Sequence, residues 1–287
     1  MKNATMSFEV FPPKTAEGAD RLISVADALA RLSPDFISVT YGACGSTRQR
    51  TLGVAEALVM HDGAPVAGHI TCAGAARAEI DDVLRFYWAA GVRRIVALRG
   101  DGEGGAGSPY TPHAGGYAYA SDLVEGARKI ADFDIAVGCY PETHPEARGL
   151  HDELDNLKRK FDAGADRAIT QFFFEPDVFL RYRDAVADAG IDKPIIPGVM
   201  LQSNVEGLMK MARLCGAFVP LKVKRAYEGL ENDAAARDRV TADLVIALCT
   251  KLHEEGVSAF HFYTMNRSCI AKTVCDALGF ASNRRAA

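Results

Sequence analysis

Short apolar runs rich in β-branched and aromatic residues recur along the chain, and most are followed by stretches whose apolar positions return with helical spacing. The runs predict strands over 7–11 (SFEVF), 36–41 (FISVTY), 66–71 (VAGHIT), 93–98 (RRIVAL), 134–140 (DIAVGCY), 166–173 (DRAITQFF), 195–199 (IIPGV) and 259–263 (AFHFY). Between them lie amphipathic helices; in 19–32, for example, Leu22, Val25, Ala26, Leu29 and Leu32 share one face. Eight strands alternating with helices predict an α/β chain folded as a parallel (β/α)8 TIM-type barrel, one domain over residues 1–287. Two connections are long: the glycine-rich 99–120, and 200–258, which holds more than one helix. A doubly wound sheet has the same alternation. It is disfavoured because no G-x-G-x-x-G follows the first strand, and "GDGEGGAG" lacks the Lys-Ser/Thr of a phosphate loop.

The alternation in the first strand puts Phe8 and Val10 on the helix-facing side and turns Glu9 and Phe11 to the barrel interior. A carboxylate there is costly unless it is paired, solvated or protonated. In a barrel the chemistry gathers at the C-terminal strand ends. Those ends carry Glu9, Thr40 and Tyr41, His69 and Thr71, Arg99 and Asp101, Tyr140, Gln171, and Tyr263 with Arg267 beyond it. Any one of these is more often a loop cap or a solvated tip. His69 alone would be a hydrogen-bonded core histidine, and Asp101 in Gly-Asp-Gly a turn residue. Asn156, Arg159 and Lys160 at helical spacing normally mark a solvated face. Seven ends turned to one mouth predict a pocket.

Composition narrows the partners. The 287 residues are 48% hydrophobic and 24% charged with a net charge of −4, which gives no basic footprint for nucleic acid. No apolar run reaches the roughly 20 residues of a membrane span, and the N-terminus has no signal-peptide pattern, so a cytoplasmic protein is expected. Seven scattered cysteines with no Cys/His ligand spacing predict reduced thiols and no metal.

The segments "SFEVFPPKT", "FISVTYGA", "HITC", "IVALRGD", "YASDLV", "YPETHPEA", "NLKRKFDAGADRAITQFFF" and "FHFYTMNR" together resemble methylenetetrahydrofolate reductase of the bacterial, single-domain type. The resemblance runs from about residue 7 to 279 and is strongest over 7–174 and 256–268. It implies the same barrel, FAD, NADH or NADPH as co-substrate, and reduction of methylenetetrahydrofolate to methyltetrahydrofolate in one-carbon metabolism and methionine biosynthesis. It further implies a two-step exchange through the reduced flavin, a homo-oligomer, and no long regulatory extension of the eukaryotic kind.

By the same resemblance Glu9 is the general acid that lets the substrate ring open to an iminium cation, with a carboxyl pKa expected to be raised by desolvation. Asp101 stabilises that cation and holds down the flavin potential. Glu9, Thr40, Asp101, Gln171, Tyr263 and Arg267 would contact the substrate, Gln171 at the pterin edge and Arg267 at the glutamate tail. Thr40, Tyr41, Ala43, His69, Arg99, Gly100, Asp101, Ala120, Tyr140, His144, Ala147, Glu153, Asn156, Arg159 and Lys160 match the FAD contacts, with Glu153 where the family commonly has Asp.

The seventh unit departs from the family pattern. Leu201 replaces a Pro, Gly207 a substrate-reaching Gln, and Met211 a ring-stacking Phe, while Lys222, Lys224 and Arg225 follow. A family member with altered donor or folate, or a non-catalytic flavin- or folate-binding protein, are the alternatives. An aldolase-type barrel would need a strand-end Lys, and none is present.

Overall fold

The computed structural model of the protein describes residues 1, 4–41, 48–102, 104 and 108–280, with Ala16 described in its backbone only. Strands and helices alternate in the order β1 (Thr5–Val10), α1 (Ala16–Ala30), β2 (Ile37–Val39), α2 (Arg48–His61), β3 (Val66–Thr71), α3 (Arg77–Ala89), β4 (Arg94–Leu98) and α4 (Ala120–Ile130). There follow β5 (Asp134–Cys139), α5 (Leu150–Asp162), β6 (Arg167–Thr170), α6 (Pro176–Asp188), β7 (Ile195–Ile196) and β8 (Gly198–Met200). The chain continues through α7 (Val205–Cys215), α8 (Leu221–Arg225), α9 (Ala234–Glu254), β9 (Ala259–Tyr263) and α10 (Ser268–Leu278).

Local chemistry explains where helices begin and end. The Thr15 hydroxyl accepts from Gly18 N–H, and the Asn204 and Asp233 side chains accept from Gly207 and Ala236 N–H, each satisfying an orphan donor of a first turn. Gly216 and Gly279 close α7 and α10 in the left-handed conformation.

All strand pairs are parallel, and the sheet runs β7-β6-β5-β4-β3-β2-β1-β9-β8. Its two ends, β7 and β8, are the halves of the strand predicted over 195–199, so the sheet closes into an α/β barrel. The single strand expected there is interrupted at Pro197. Proline has no N–H to donate to a ladder, so β7 pairs with β6 while β8 pairs with β9. The Pro197 carbonyl accepts from His261 N–H at 3.0 Å, and Gly198 N–H donates to Thr170 Oγ1 at 2.9 Å across the interruption. A Cβ on Gly198 would stand 2.1 Å from the Thr170 carbonyl oxygen, so only glycine fits this seam.

Phe8, Val10, Ile70, Ile135 and Phe262 are fully buried in the layer between strands and helices. Each such side chain contributes about 1.5–3 kcal/mol. Inside the barrel Phe36, Ala67, Val96, Ala136, Ile169 and Ile196 form an apolar layer. At the strand starts beneath it lies a closed ring of charges. Arg94 pairs with Asp35 and Asp134 at 3.1 Å each, and Arg167 pairs with Asp134 at 2.8 Å and Asp35 at 3.5 Å.

Phe11, expected inside, is instead 40% exposed, because β1 ends at Val10 and Pro12-Pro13 lead the chain outward. The backbone of Phe11 is held on both sides by Asn266, whose Oδ1 accepts from Phe11 N–H and whose Nδ2 donates to Phe11 O, each at 2.9 Å. Among the described residues, no helix is long and apolar enough to cross a membrane, and no group of His, Cys, Asp and Glu could hold a metal ion.

Candidate active site

Glu9 meets two histidines inside the barrel. Its Oε2 lies 3.3 Å from His69 Nε2 on β3 and 3.7 Å from His261 Nε2 on β9. The parallel register that pairs Ser7 with His261 and Glu9 with Tyr263 brings the first and last strands together, and Ser7 Oγ stands 2.7 Å from His261 Nδ1. The side chains are graded in access: Glu9 is 19% exposed, His69 7% and His261 1%. Glu9 is the member of this cluster that reaches the mouth.

The carboxyl pKa is not raised as expected from desolvation. Burial does push it up, but the imidazoles of His69 and His261 outweigh that and hold it at about 2. Burial in turn pushes the His261 pKa down, against the pull of Glu9. The two imidazoles therefore favour the ionised form of the one carboxyl between them.

Around this cluster the other strand ends form one wall. Thr40 follows β2, where its N–H donates to Val10 O and its carbonyl accepts from Thr51 Oγ1. Tyr41 accepts from Arg48 Nε at 2.9 Å, and burial raises its pKa. Ala43 lies outside the described residues. Arg99 stacks over the Tyr110 ring at 4.4 Å and binds Glu146 through both terminal nitrogens. Gly100 has φ +84°, and a Cβ there would crowd Ala73 at 2.9 Å. Asp101 sits where its charge reaches Tyr140, His144 and Cys215.

The β5–α5 loop and α5 supply the next group. Tyr140 and His144 meet edge to face at 4.7 Å. Glu153 is buried, accepts from His144 N–H at 2.8 Å, and has its pKa raised by burial. Ala147 N–H donates to His144 O, closing the loop. On α5, Asn156 accepts from Arg159, while Lys160 Nζ donates to Gly138 O at 2.8 Å and has its pKa lowered by burial. Ala120 is the buried first residue of α4. Gln171 Oε1 accepts from Phe172 N–H, and Tyr263 OH donates to Thr170 O at 2.7 Å.

One buried polar atom of this wall, Thr71 Oγ1, has no hydrogen-bond partner among the described residues. Unpaired buried groups are costly and mark a place where a polar ligand would supply the missing contacts. With the cationic Arg99, Arg159 and Lys160 alongside, the wall fits a large hydroxylated, phosphate-bearing cofactor.

In the seventh unit Leu201 is fully buried, and Met211 packs beside Leu208, Ala212 and Tyr227. Lys222 pairs with Glu175 at 3.0 Å on an exposed face, while Lys224 and Arg225 are exposed. Arg267 is bound by Ser203 and Asp238. Sequence reasoning missed Ser7, His261, Glu146, Ser203, Cys215 and Asp238. His261 carried a signal, since Phe260 and Phe262 flank it with the same period of two that turned Glu9 inward.

Residues 1–279 match the family model described as methylenetetrahydrofolate reductase. The chain is 45% identical over 274 residues to 5,10-methylenetetrahydrofolate reductase of Salmonella typhimurium, covering 96% of this chain and 90% of that protein. The Escherichia coli protein of the same description is 44% identical with the same coverage. Among solved structures, a Clostridium thermocellum protein that binds two copies of 5-methyl-5,6,7,8-tetrahydrofolic acid superposes with a TM-score of 0.66 at 15% identity, covering 96% of both chains, a likeness of fold.

Proposed function

The chain belongs to the methylenetetrahydrofolate reductase family and is an NAD(P)H-dependent reductase of methylenetetrahydrofolate; on that footing we propose that it works with FAD and that Glu9 delivers the proton the reduction needs. The observation that carries this reading is the Glu9–His69–His261 cluster, whose one open member is Glu9. A carboxylate held at about 2 is a poor acid by itself. Its low value depends on positive charge on the rings. When an imidazolium passes its proton to Glu9, that ring's attraction for the carboxylate is lost and burial favours the protonated carboxyl. The cluster can thus relay a proton from a ring through the carboxyl.

Residues Thr40, Tyr41, Ala43, His69, Arg99, Gly100, Asp101, Ala120, Tyr140, His144, Ala147, Glu153, Asn156, Arg159 and Lys160 would hold FAD. The unpaired Thr71 Oγ1 supports this assignment. Bound there, FAD supplies the hydride relay between the nicotinamide and the substrate methylene. Asp101 presents negative charge to the iminium cation, in a wall whose burial strengthens electrostatics. Gln171 binds the pterin edge, with Thr40 and Tyr263 beside it. Arg267 receives the glutamate tail of the folate. The reading includes NADH or NADPH as donor, used in alternation with the folate, and a homo-oligomer in the cytoplasm.

The test is spectroscopic and kinetic. The purified protein should be yellow or turn so with added FAD, and NADH or NADPH followed by methylenetetrahydrofolate should bleach and restore that colour. A protein that refuses FAD sinks the cofactor assignment.

A further inference from the structure

We propose that Asp238, with Ser203, positions Arg267 for the glutamate tail of the folate, and so sets how strongly the enzyme prefers a substrate that carries that tail. The proposal rests on the reading of Arg267 given above.

Three side chains from separate parts of the chain close on one another at the mouth between β8 and β9. Arg267 Nη2 donates to Asp238 Oδ2 at 2.5 Å, and Nη1 donates to Ser203 Oγ at 2.7 Å. The Ser203 hydroxyl in turn donates to Asp238 Oδ1 at 2.6 Å. Ser203 is buried just beyond β8, and Asp238 lies on α9, so the ring of bonds anchors a mobile type of side chain to two fixed elements. A guanidinium has five N–H donors in a rigid fork. Two are committed here, and the others remain for an incoming carboxylate, with the plane of the fork already set.

Two effects of Asp238 oppose each other. Its negative charge partly cancels Arg267 and weakens the pull on a substrate carboxylate. Its hydrogen bond fixes a long side chain that would otherwise lose its rotamer freedom on binding. Arg267 and Asp238 are 36% and 24% exposed, so solvent screens the charge term. Orientation wins, and Asp238 favours tail binding.

A purely structural ion pair tying α9 to the β9–α10 turn would predict something else. Its loss would weaken every ligand alike. The two accounts separate on a pair of ligands that differ only in the tail: methyltetrahydrofolate, and its pteroate counterpart lacking the glutamate.

The experiment measures dissociation constants by calorimetry, and KM for the matching methylene substrates, in the FAD-loaded wild type, D238N, D238A, S203A and R267A. Expected is an about tenfold or greater weakening of the glutamate-bearing ligand in D238A. The tail-less ligand should stay within about twofold. S203A should move the same way by less, and it keeps the test informative if the Asp238 variants fold poorly. Equal weakening of both ligands in D238A, or tighter glutamate binding in D238N, overturns the proposal. If R267A keeps the wild-type preference for the tail, the reading of Arg267 fails and takes the proposal with it. If R267A loses that preference while the Asp238 and Ser203 variants keep it, only the positioning role is lost.

Discussion

His261 Nδ1 stands 2.7 Å from Ser7 Oγ, and that contact ties the ring facing Glu9 to the first strand. Ser7 Oγ also lies 3.4 Å from the Phe260 carbonyl. Both contacts are satisfied when Ser7 donates to Phe260 O and accepts from His261 Nδ1–H. With Nδ1 engaged by Ser7, His261 presents Nε2 to the Glu9 carboxylate at 3.7 Å, where it helps to hold the carboxyl pKa down.

Replacing Glu9 by Gln keeps the size of the side chain and removes the acid. Reduction of bound FAD by NADH or NADPH should continue, since it needs no proton at the folate ring. Reoxidation by methylenetetrahydrofolate should fall about 10²-fold or more. Stopped-flow measurement of the two half-reactions separates them, and equal losses in both would remove Glu9 from the proton step.

The depressed pKa of Glu9 also makes a pH prediction. A carboxyl at about 2 in the fold and near 4.5 when unfolded stabilises the fold fully above the unfolded value. That contribution, on the order of 3 kcal/mol, is lost as pH falls from about 4.5 through about 2. Urea unfolding across this window should show a shallower acid limb in Glu9→Gln than in the wild type. Superimposable limbs would mean that the imidazoles do not hold the carboxyl down.

Asp101 faces Tyr140, His144 and Cys215. Asp101→Asn removes a charge from the wall proposed to hold FAD. The flavin potential should rise, the donor half-reaction should hold or improve, and the folate half-reaction should slow. An unchanged potential in redox-dye titration, together with unchanged folate turnover, would leave Asp101 as a turn residue.

Thr170→Val tests the seam at Pro197. It removes the acceptor for the buried Gly198 N–H and should cost about 1–3 kcal/mol in denaturant unfolding. A loss of only a few tenths would show that the backbone there finds another partner.

Gly207 occupies the first turn of α7 at an ordinary φ, and a Cβ there would come no closer than 3.4 Å to Gln202 Nε2. Gly207→Ala should therefore raise stability by about 0.5–1 kcal/mol through helix propensity. A drop in melting temperature would show that the glycine serves a ligand or a motion.

The barrel was legible because period-two runs and helical stretches alternate from β1 to β9. The break at Pro197 was less so: a proline in "IIPGV" warns of trouble, but only the closed sheet shows that its two sides pair with different neighbours. Glu9 and His69 stood out as polar residues in apolar strands. Their direct apposition did not, since it depends on barrel curvature. The direction of the Glu9 pKa was misjudged for the same reason. Burial can be inferred from flanking residues, whereas the approach of His69 and of His261, some 60 and 250 positions away, cannot. Asp238 was invisible on a long helix because its partner, Arg267, lies in another unit.

The ring of Asp35, Arg94, Asp134 and Arg167 beneath the apolar layer makes the barrel a cul-de-sac. Whatever enters by the rim must back out through the same doorway. On the proposed reading, a spent nicotinamide could not be pushed onward by the folate behind it. Turnover in such a vessel depends on how quickly the first visitor departs as much as on how well the second is received.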